Sequence, residues 1–443
     1  MTNLRDFIGA VREAGWLVEI NKQIDPYLEM APVIAALDGR PVLFNDVAGS
    51  EFRVLSGQCS DRRYFALALD CAVEELVFRM ADAYSSPSDP RLVNRDEVPC
   101  QEVVMTTPDL RRLPFLTHYP DDAGPYATAA IAVVNDPDSG PNVSFHRLLR
   151  LDATHLAARI VERRGTDTAL KKTPDDLPVA ICIGLPLHVL LAASMAPPPG
   201  VDELAIANAL APTPVVQCLT NDLRVPAEAE FVLEGRITHR TVAEGPFVDL
   251  TETWDIVRQQ PVIEIDCITH RRDAIYHALL PGQLEHKLLM GMPREPSIFA
   301  AVNEVCRCRN VSITPGGASW LHAVVQIDKQ HADDGHKAAE AAFRGHGSLK
   351  HVVVVDDDID LYDPNEIEWA IATRFQADRD LLVWENQPSS SLDPSATHIP
   401  GQKSRSAKMG LDATIPWDQP DSCTRLHEFV RVPFPKADVS AYL

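Results

Sequence analysis

Four short stretches of this 443-residue chain carry side chains able to do chemistry. The first is Asn142-Val143-Ser144-Phe145-His146-Arg147. Asparagine offers a neutral oxygen ligand, and arginine a planar fork that fits a carboxylate or phosphate. Taken alone, the stretch also reads as an ordinary polar strand end. The second is Pro197-Pro198-Pro199-Gly200-Val201-Asp202-Glu203. Asp202 is placed to cap a helix, with Glu203 in its first turn, where the helix dipole favours a carboxylate. The sharper alternative makes Glu203 a hard oxygen ligand for a divalent cation. The third, Glu244-Gly245-Pro246-Phe247-Val248-Asp249, sets two carboxylates on either side of a Gly-Pro turn. An arginine between them would drive their proton affinities apart, leaving one fixed anion and one proton carrier; otherwise this is a solvated loop. The fourth, Lys403-Ser404-Arg405-Ser406-Ala407-Lys408-Met409-Gly410, is a basic island among small residues. It suits phosphate or a solvated surface loop.

Two further features draw attention. Asp356-Asp357-Asp358 follows an apolar run and reads as a charged strand end rather than a metal site. His286 and Arg294 follow Leu280-Pro281-Gly282 and are candidate ligand contacts, although a single histidine is weak evidence.

The rest of the chain bounds these possibilities. The formal net charge is -22, which repels nucleic acid and anionic lipid. The nine cysteines are scattered without zinc or redox spacing, as in a reducing cytoplasm. The N-terminus has no long apolar segment of a secretory signal. The longest apolar stretch, Ala180 to Ala196, is broken by Gly184, Pro186 and His188 and reads as a buried strand, a turn and the start of another element. A cytoplasmic protein with no membrane span is expected.

The elements that must position the four stretches can be outlined. Asn3 or Thr2 caps a first helix whose stripe is Leu4, Phe7, Ile8 and Val11, ended by Gly15. Ser85 to Pro99 reads as a linker or extended excursion. From Glu102 to Ile265 the chain is mainly strand-like, with candidate strands at Ala129 to Val134, Val179 to Ile183, Val215 to Leu219, Phe231 to Leu233 and Val262 to Ile265. Helical inserts are predicted at Ala153 to Glu162 and Asp202 to Leu210. From Ser297 strands and helices alternate, the pattern of a separate α/β domain, and Gln387 to Lys408 reads as turns.

The order and wording of several stretches together resemble the UbiD-like decarboxylases over nearly the whole chain. These stretches are Thr220-Asn221-Asp222-Leu223-Arg224-Val225-Pro226, Glu234-Gly235, Glu244-Gly245-Pro246-Phe247, Arg272-Asp273-Ala274-Ile275-Tyr276-His277, Asp356-Asp357-Asp358-Ile359 and Lys408-Met409-Gly410-Leu411-Asp412-Ala413-Thr414. The resemblance implies an α/β (α+β) fold: an N-terminal α/β lobe over 1–110, a split β-barrel binding prenylated FMN over 111–296, and a connecting helix with a C-terminal α/β oligomerisation domain over 297–443. It implies a Glu–Arg–Asp network of Glu244, Arg147 and Asp249, and a divalent metal, usually manganese, on Asn142 and Glu203. It implies cofactor contacts from Asn142, Ser144, His146, Arg147, Arg164, Ser194, Met195, Glu203 and Lys408, with potassium near Ser194 and Met195. Where the family carries a third metal ligand, a histidine, this chain reads Glu162-Arg163-Arg164-Gly165. Arginine stays protonated and cannot ligate a metal, so the metal site is altered or an arginine meets the phosphate directly.

Losing carbon dioxide from an aromatic or vinylic acid leaves a carbanion that no side chain can absorb, so an organic cofactor must. The implied activity is a reversible decarboxylase of an aromatic, heteroaromatic or α,β-unsaturated acid, with Asp249 as proton donor. Leu280 to Arg294 resembles the branch acting on small heteroaromatic acids, with His286 and Arg294 as substrate contacts and furan-2,5-dicarboxylate as the leading substrate. Pyrrole-2-carboxylate and benzenoid acids stay open. A homo-oligomer and a flavin prenyltransferase as cofactor supplier are implied partners. A non-catalytic flavin-binding homologue and a flavin reductase are alternatives of other classes. Retention of Arg147, Glu244 and Asp249 together argues for turnover, since a mere binder has no use for a proton relay.

Overall fold

The computed structural model describes residues 1–399, 402–417 and 429–432. Of the expected C-terminal domain, 418–428 and 433–443 lie outside these residues, as do Pro400 and Gly401 of the turn-rich stretch. The chain divides into two compact units, Met1–Pro296 and Ser297–Leu443.

The first unit begins with the helix Leu4–Glu13. The Asn3 side chain caps it by accepting from the amides of Arg5 and Asp6, and Leu4, Phe7, Ile8 and Val11 are buried. Burying such a stripe contributes roughly 1.5–3 kcal/mol per large side chain, and that holds so short a helix together. Three short strands, Val18–Ile20, Val42–Phe44 and Arg53–Ser56, form a sheet that Ile275–His277 completes in parallel from far along the chain.

A nine-stranded sheet dominates the unit. Its path runs Tyr126–Ala127, Leu148–Arg150, His155–Ala158, Arg258–His270, Phe231–Glu244, Leu177–Ile183, Ile131–Asp136, Gly140–Phe145, with Val103–Met105 paired on Arg258–His270. This order fixes its shape. Six strand steps separate Leu148–Arg150 from Gly140–Phe145, which in a flat sheet is about 29 Å. Yet only His146 and Arg147 join those strands, and three residues of chain reach at most about 11 Å. The sheet must therefore curl until its two ends face each other, which is the split barrel. Arg147 sits on the seam, where the His146 amide donates to the Ala130 carbonyl and the Arg159 amide to the Arg147 carbonyl. Among the described residues the two end strands are not paired with each other, so the barrel is open.

Ala153 to Glu162 is not the predicted helix. It contains the strand His155–Ala158, antiparallel to both Leu148–Arg150 and Arg258–His270. Asp152 turns the chain ahead of it, accepting from the amides of Thr154 and His155. Leu156, Ala157 and Ala158 are all buried, so a short apolar run covered on both faces left no alternation by which to tell strand from helix. Ser85 ends the helix Leu76–Ser85, and the stretch from there to the 3-10 turn Arg95–Glu97 is tied down, the Ser88 and Val93 amides donating to the carbonyls of Ala205 and Val215.

The second unit is an α/β layer. Its sheet runs Arg307–Ile313, His322–Asp328, His351–Asp356, Arg405–Asp412, Leu381–Pro388, with the three central strands parallel. The helices Asp334–Gly345 and Pro364–Arg374 belong to it. Here a second expectation fails: the basic island is mostly strand, Arg405–Asp412, rather than turns. The Asp triad ends a strand, as expected. Arg374, wholly buried, donates to Asp356 and Asp358, so those carboxylates are taken. No described helix is long and apolar enough to cross a membrane.

Candidate active site

The seam delivers Arg147 into a ring of carboxylates. Its Nε and Nη2 donate to the two oxygens of Glu244 at 2.8 and 3.0 Å. Nη1 donates to Asp249 Oδ2 at 3.1 Å, and Nη2 also to Asp255 Oδ2 at 3.0 Å. The Phe247 ring lies under the guanidinium, 4.6 Å from centroid to Cζ. Burial works against the arginine's charge, but the hydrogen bonds to Glu244 and the surrounding anions outweigh it and raise its proton affinity. The chain thus brings Arg147, Glu244 and Asp249 together.

The three carboxylates are not equivalent. Glu244 ends the long strand Phe231–Glu244, and its side chain is 0% exposed. It also accepts from the Tyr126 hydroxyl at 3.1 Å. Burial and the Glu244 charge push the Tyr126 phenol up, so it stays a donor. Asp249 follows the turn at Gly245, where φ is +94°, and the strand Phe247–Val248. Its Oδ1 accepts from the Leu250 amide at 2.6 Å, and its side chain is 21% exposed, within reach of a ligand. Asp255 had no motif to mark it. The pairing of Phe247–Val248 with Trp254–Asp255 folds it back onto Arg147. Burial opposes the Asp255 charge, but Arg258, donating to its Oδ1 at 2.6 Å, and Arg147 prevail and hold its proton affinity below the usual carboxylate range.

The helix Leu284–Gly291 closes this side. The Gly282 amide donates to His286 Nδ1 at 3.1 Å, which leaves a neutral His286 with its proton on Nε2. Burial, chiefly, lowers the His286 pKa, and Asp249 and Arg147 are among the charges it feels. Gly282 has φ +74°, and a Cβ there would stand 3.1 Å from Glu252 Cγ and 3.4 Å from the Asp249 carbonyl. Glycine therefore lets the Asp249 loop lie against the His286 turn. Arg294 belongs to a different neighbourhood. It is lowered to about 10 by burial and then by the charge of Arg164. His286 is thus joined to the Gly282 turn that lies against the Asp249 loop.

A second cluster surrounds Asn142 on the strand Gly140–Phe145. Glu203 begins the helix Glu203–Leu210, capped by Asp202, and accepts from the Val143 amide at 2.8 Å and from Asn142 Nδ2 at 3.3 Å. Burial pushes Glu203 up to about 7. A buried carboxylate with an amide oxygen beside it is a donor set that a small cation would suit. Arg164, at the third-ligand place, is instead the exposed residue that opens the helix Gly165–Lys172. A Cβ on Gly165 would lie 2.5 Å from Asn142 Oδ1, so the helix start approaches Asn142 as closely as glycine permits. Its Thr166 hydroxyl also points to this cluster. Ser144 and His146 bond to the same hydroxyl, and His146 Nδ1 lies 3.1 Å from the Arg159 carbonyl. Burial holds His146 down to about 4, a neutral and inward-facing ring. Among the described residues no group of three His, Cys, Asp or Glu side chains could hold a metal alone. Ser194 ends the helix Leu187–Ala193 and donates to the Leu190 carbonyl, with Met195 buried beside it. Lys408 lies in the second unit, where its Nζ donates to the Gly347 carbonyl at 2.8 Å over the Phe343 ring. Burial brings Lys408 down to about 8.

Known proteins share this architecture. Residues 8–84, 91–284 and 287–413 match, in turn, the N-terminal, Rift-related and C-terminal domains of 3-octaprenyl-4-hydroxybenzoate carboxy-lyase. The anhydromevalonate phosphate decarboxylase of Methanosarcina mazei is 44% identical over 416 residues, covering 93% of this chain and 95% of that protein. The UbiD-class enzyme HmfF from Pelotomaculum thermopropionicum, solved with FMN, superposes with a TM-score of 0.94 at 38% identity, covering 100% of each chain. An evolved dimeric form of that enzyme, solved with prFMN, gives a TM-score of 0.90 at 36% identity, with 100% of each chain covered.

Proposed function

The chain belongs to the UbiD family of decarboxylases, and from that premise we propose that it removes carbon dioxide from an α,β-unsaturated acid bearing a phosphate, with prenylated FMN as cofactor. The observation that carries the reaction is Arg147 held between buried Glu244 and the accessible Asp249. The substrate class rests on the 44% identity to an anhydromevalonate phosphate decarboxylase. It displaces furan-2,5-dicarboxylate as the leading substrate, since that acid had only the Leu280 to Arg294 motif behind it. Arg294 would offer a buried guanidinium to the phosphate.

Prenylated FMN supplies the electron sink for the bond that breaks. By family resemblance its contacts in the first unit would be Asn142, Ser144, His146, Arg147, Arg164, Ser194, Met195 and Glu203. Asn142 and Glu203 would hold a divalent cation, manganese by family resemblance, and the Ser194–Met195 corner potassium. The cation would offset a buried Glu203 charge that has only neutral donors on it. With arginine at the third place, the cluster would offer the cofactor phosphate a cation and a guanidinium.

The chain's own residues then divide the work. Arg147 orients the substrate carboxylate, its fork held by two hydrogen bonds to Glu244 over the Phe247 ring. After carbon dioxide leaves, a proton must reach the carbon that carried it. Asp249 delivers that proton, and Arg147 steadies the carboxylate that results. His286 adds an N–H without adding a charge. A homo-oligomer and a flavin prenyltransferase complete the assembly by family resemblance.

The test is co-expression with a flavin prenyltransferase, followed by carbon dioxide release from anhydromevalonate phosphate, its dephosphorylated acid, furan-2,5-dicarboxylate and pyrrole-2-carboxylate. Preference for the phosphate-bearing acid, lost in Arg294→Gln through a raised KM, supports the reading. Preference for the furan acid restores the heteroaromatic branch. Absence of turnover with prenylated FMN bound leaves the non-catalytic homologue.

A further inference from the structure

We propose that Asp255 is a positioning residue for this reaction: by holding Arg147 Nη2, it fixes the guanidinium and leaves Asp249 joined to Arg147 through a single N–H. The inference rests on Asp249 being the proton donor.

The geometry is specific. The Nη2 group is shared between Glu244 Oε2 and Asp255 Oδ2, each at 3.0 Å, while Nη1 makes its one carboxylate contact, at 3.1 Å, to Asp249. Without Asp255, the guanidinium would have one rigid partner and would be free to lean on Asp249. With it, two carboxylates hold Nε and Nη2, and Nη1 is the arm that can let go. Asp255 is itself secured by Arg258, 2.6 Å from Oδ1, and its own amide neighbour Ile256 donates to the same oxygen at 3.0 Å. Arg159, from the chain after the strand His155–Ala158, lies 3.9 Å from Oδ2. Burial depresses Arg159, with Arg258 next among the causes.

The charges around the donor give the direction of effect. Facing Asp249 are Arg147 from the seam and His286 from the helix Leu284–Gly291, with Lys287 paired to Glu252 on the loop. Facing Asp255 are Arg147, Arg159 and Arg258. Asp255 neutralises part of the positive charge that would otherwise bear on Asp249. Removing it favours ionised Asp249, and a proton donor that ionises sooner fails at lower pH. Removing Arg258 frees the Asp255 charge and acts the other way.

The experiment compares pH profiles of kcat and KM for the flavin-loaded wild type, Asp255→Asn, Asp255→Glu and Arg258→Gln, with bound flavin measured by absorbance. Asp255→Asn should lower kcat about tenfold at neutral pH and move the high-pH limb down by about one unit, with KM and flavin content little changed. Asp255→Glu should recover most of the rate, and Arg258→Gln should move the limb up. Limbs that stay in place, or move the same way in both charge variants, overturn the proposal. If Asp255→Asn does not fold, the sign of the Arg258→Gln shift decides alone. Asp249→Asn runs in parallel: if it keeps full activity, the donor assignment fails; if it is dead while the limbs stay fixed, only the role of Asp255 fails.

Discussion

Arg147 grips Glu244 with two hydrogen bonds, of 2.8 and 3.0 Å, and Asp249 with one of 3.1 Å. Glu244 is 0% exposed and Asp249 21%, so one arginine holds one buried carboxylate and one accessible one. Replacing Glu244 by alanine removes two of the four hydrogen bonds on a buried guanidinium and should cost about 3 kcal/mol of stability. Asp249→Ala should cost under about 1 kcal/mol, because its pair reaches solvent. Chemical denaturation of both variants checks this, and equal losses would mean that the two carboxylates share one role.

Much of this division was legible in the sequence. Glu244 and Asp249 flank a Gly-Pro turn, and it was the family resemblance, not the stretches taken singly, that joined Arg147 to them. Asp255 and Tyr126 were not legible. Asp255 reaches Arg147 because Trp254–Asp255 pairs back on Phe247–Val248, and Tyr126 because its strand pairs with Leu148–Arg150 just past Arg147. Both depend on pairing, which short strands do not announce. The misread at Ala153 to Glu162 has the same origin, since a strand buried between two others carries no alternating pattern. Helix Glu203–Leu210 was legible because Asp202 caps it locally.

Gly282 gives a second prediction. At φ +74° any side chain strains the backbone, and a Cβ would press on Glu252 and the Asp249 carbonyl. Gly282→Ala should cost about 1–2 kcal/mol and should also displace Asp249 from Arg147. The expected readout is a fall in kcat larger than any change in flavin binding; unchanged kcat would mean that the loop does not need this contact.

His188 gives a pH prediction. It is 1% exposed, and burial holds it down to about 3 from 6.5. Because the folded value is depressed, the neutral ring stabilises the fold fully above pH 6.5. That contribution is lost as pH falls toward 3, by about 1.4 kcal/mol for each pH unit. His188→Gln keeps a partner for the Thr213 hydroxyl, 3.0 Å away, without titrating. Denaturation midpoints should therefore fall less steeply between pH 6 and 4 in the variant, and parallel curves would contradict it.

The Asn142–Glu203 pair predicts cofactor retention. Glu203→Gln should reduce flavin and divalent metal recovered together, measured by absorbance and elemental analysis, while Arg164→Gln should reduce flavin with metal retained when flavin is resupplied. Loss of flavin without any metal in the wild type would mean that Arg164 has replaced the cation.

The central claim is that Asp249 delivers the proton. Its most direct test is carbon dioxide release by the wild type and Asp249→Asn, each matched for bound prenylated FMN by mass spectrometry. The account predicts turnover in the wild type and a loss of at least about a hundredfold in the variant. An Asp249→Asn protein with full flavin that turns over like the wild type would contradict it.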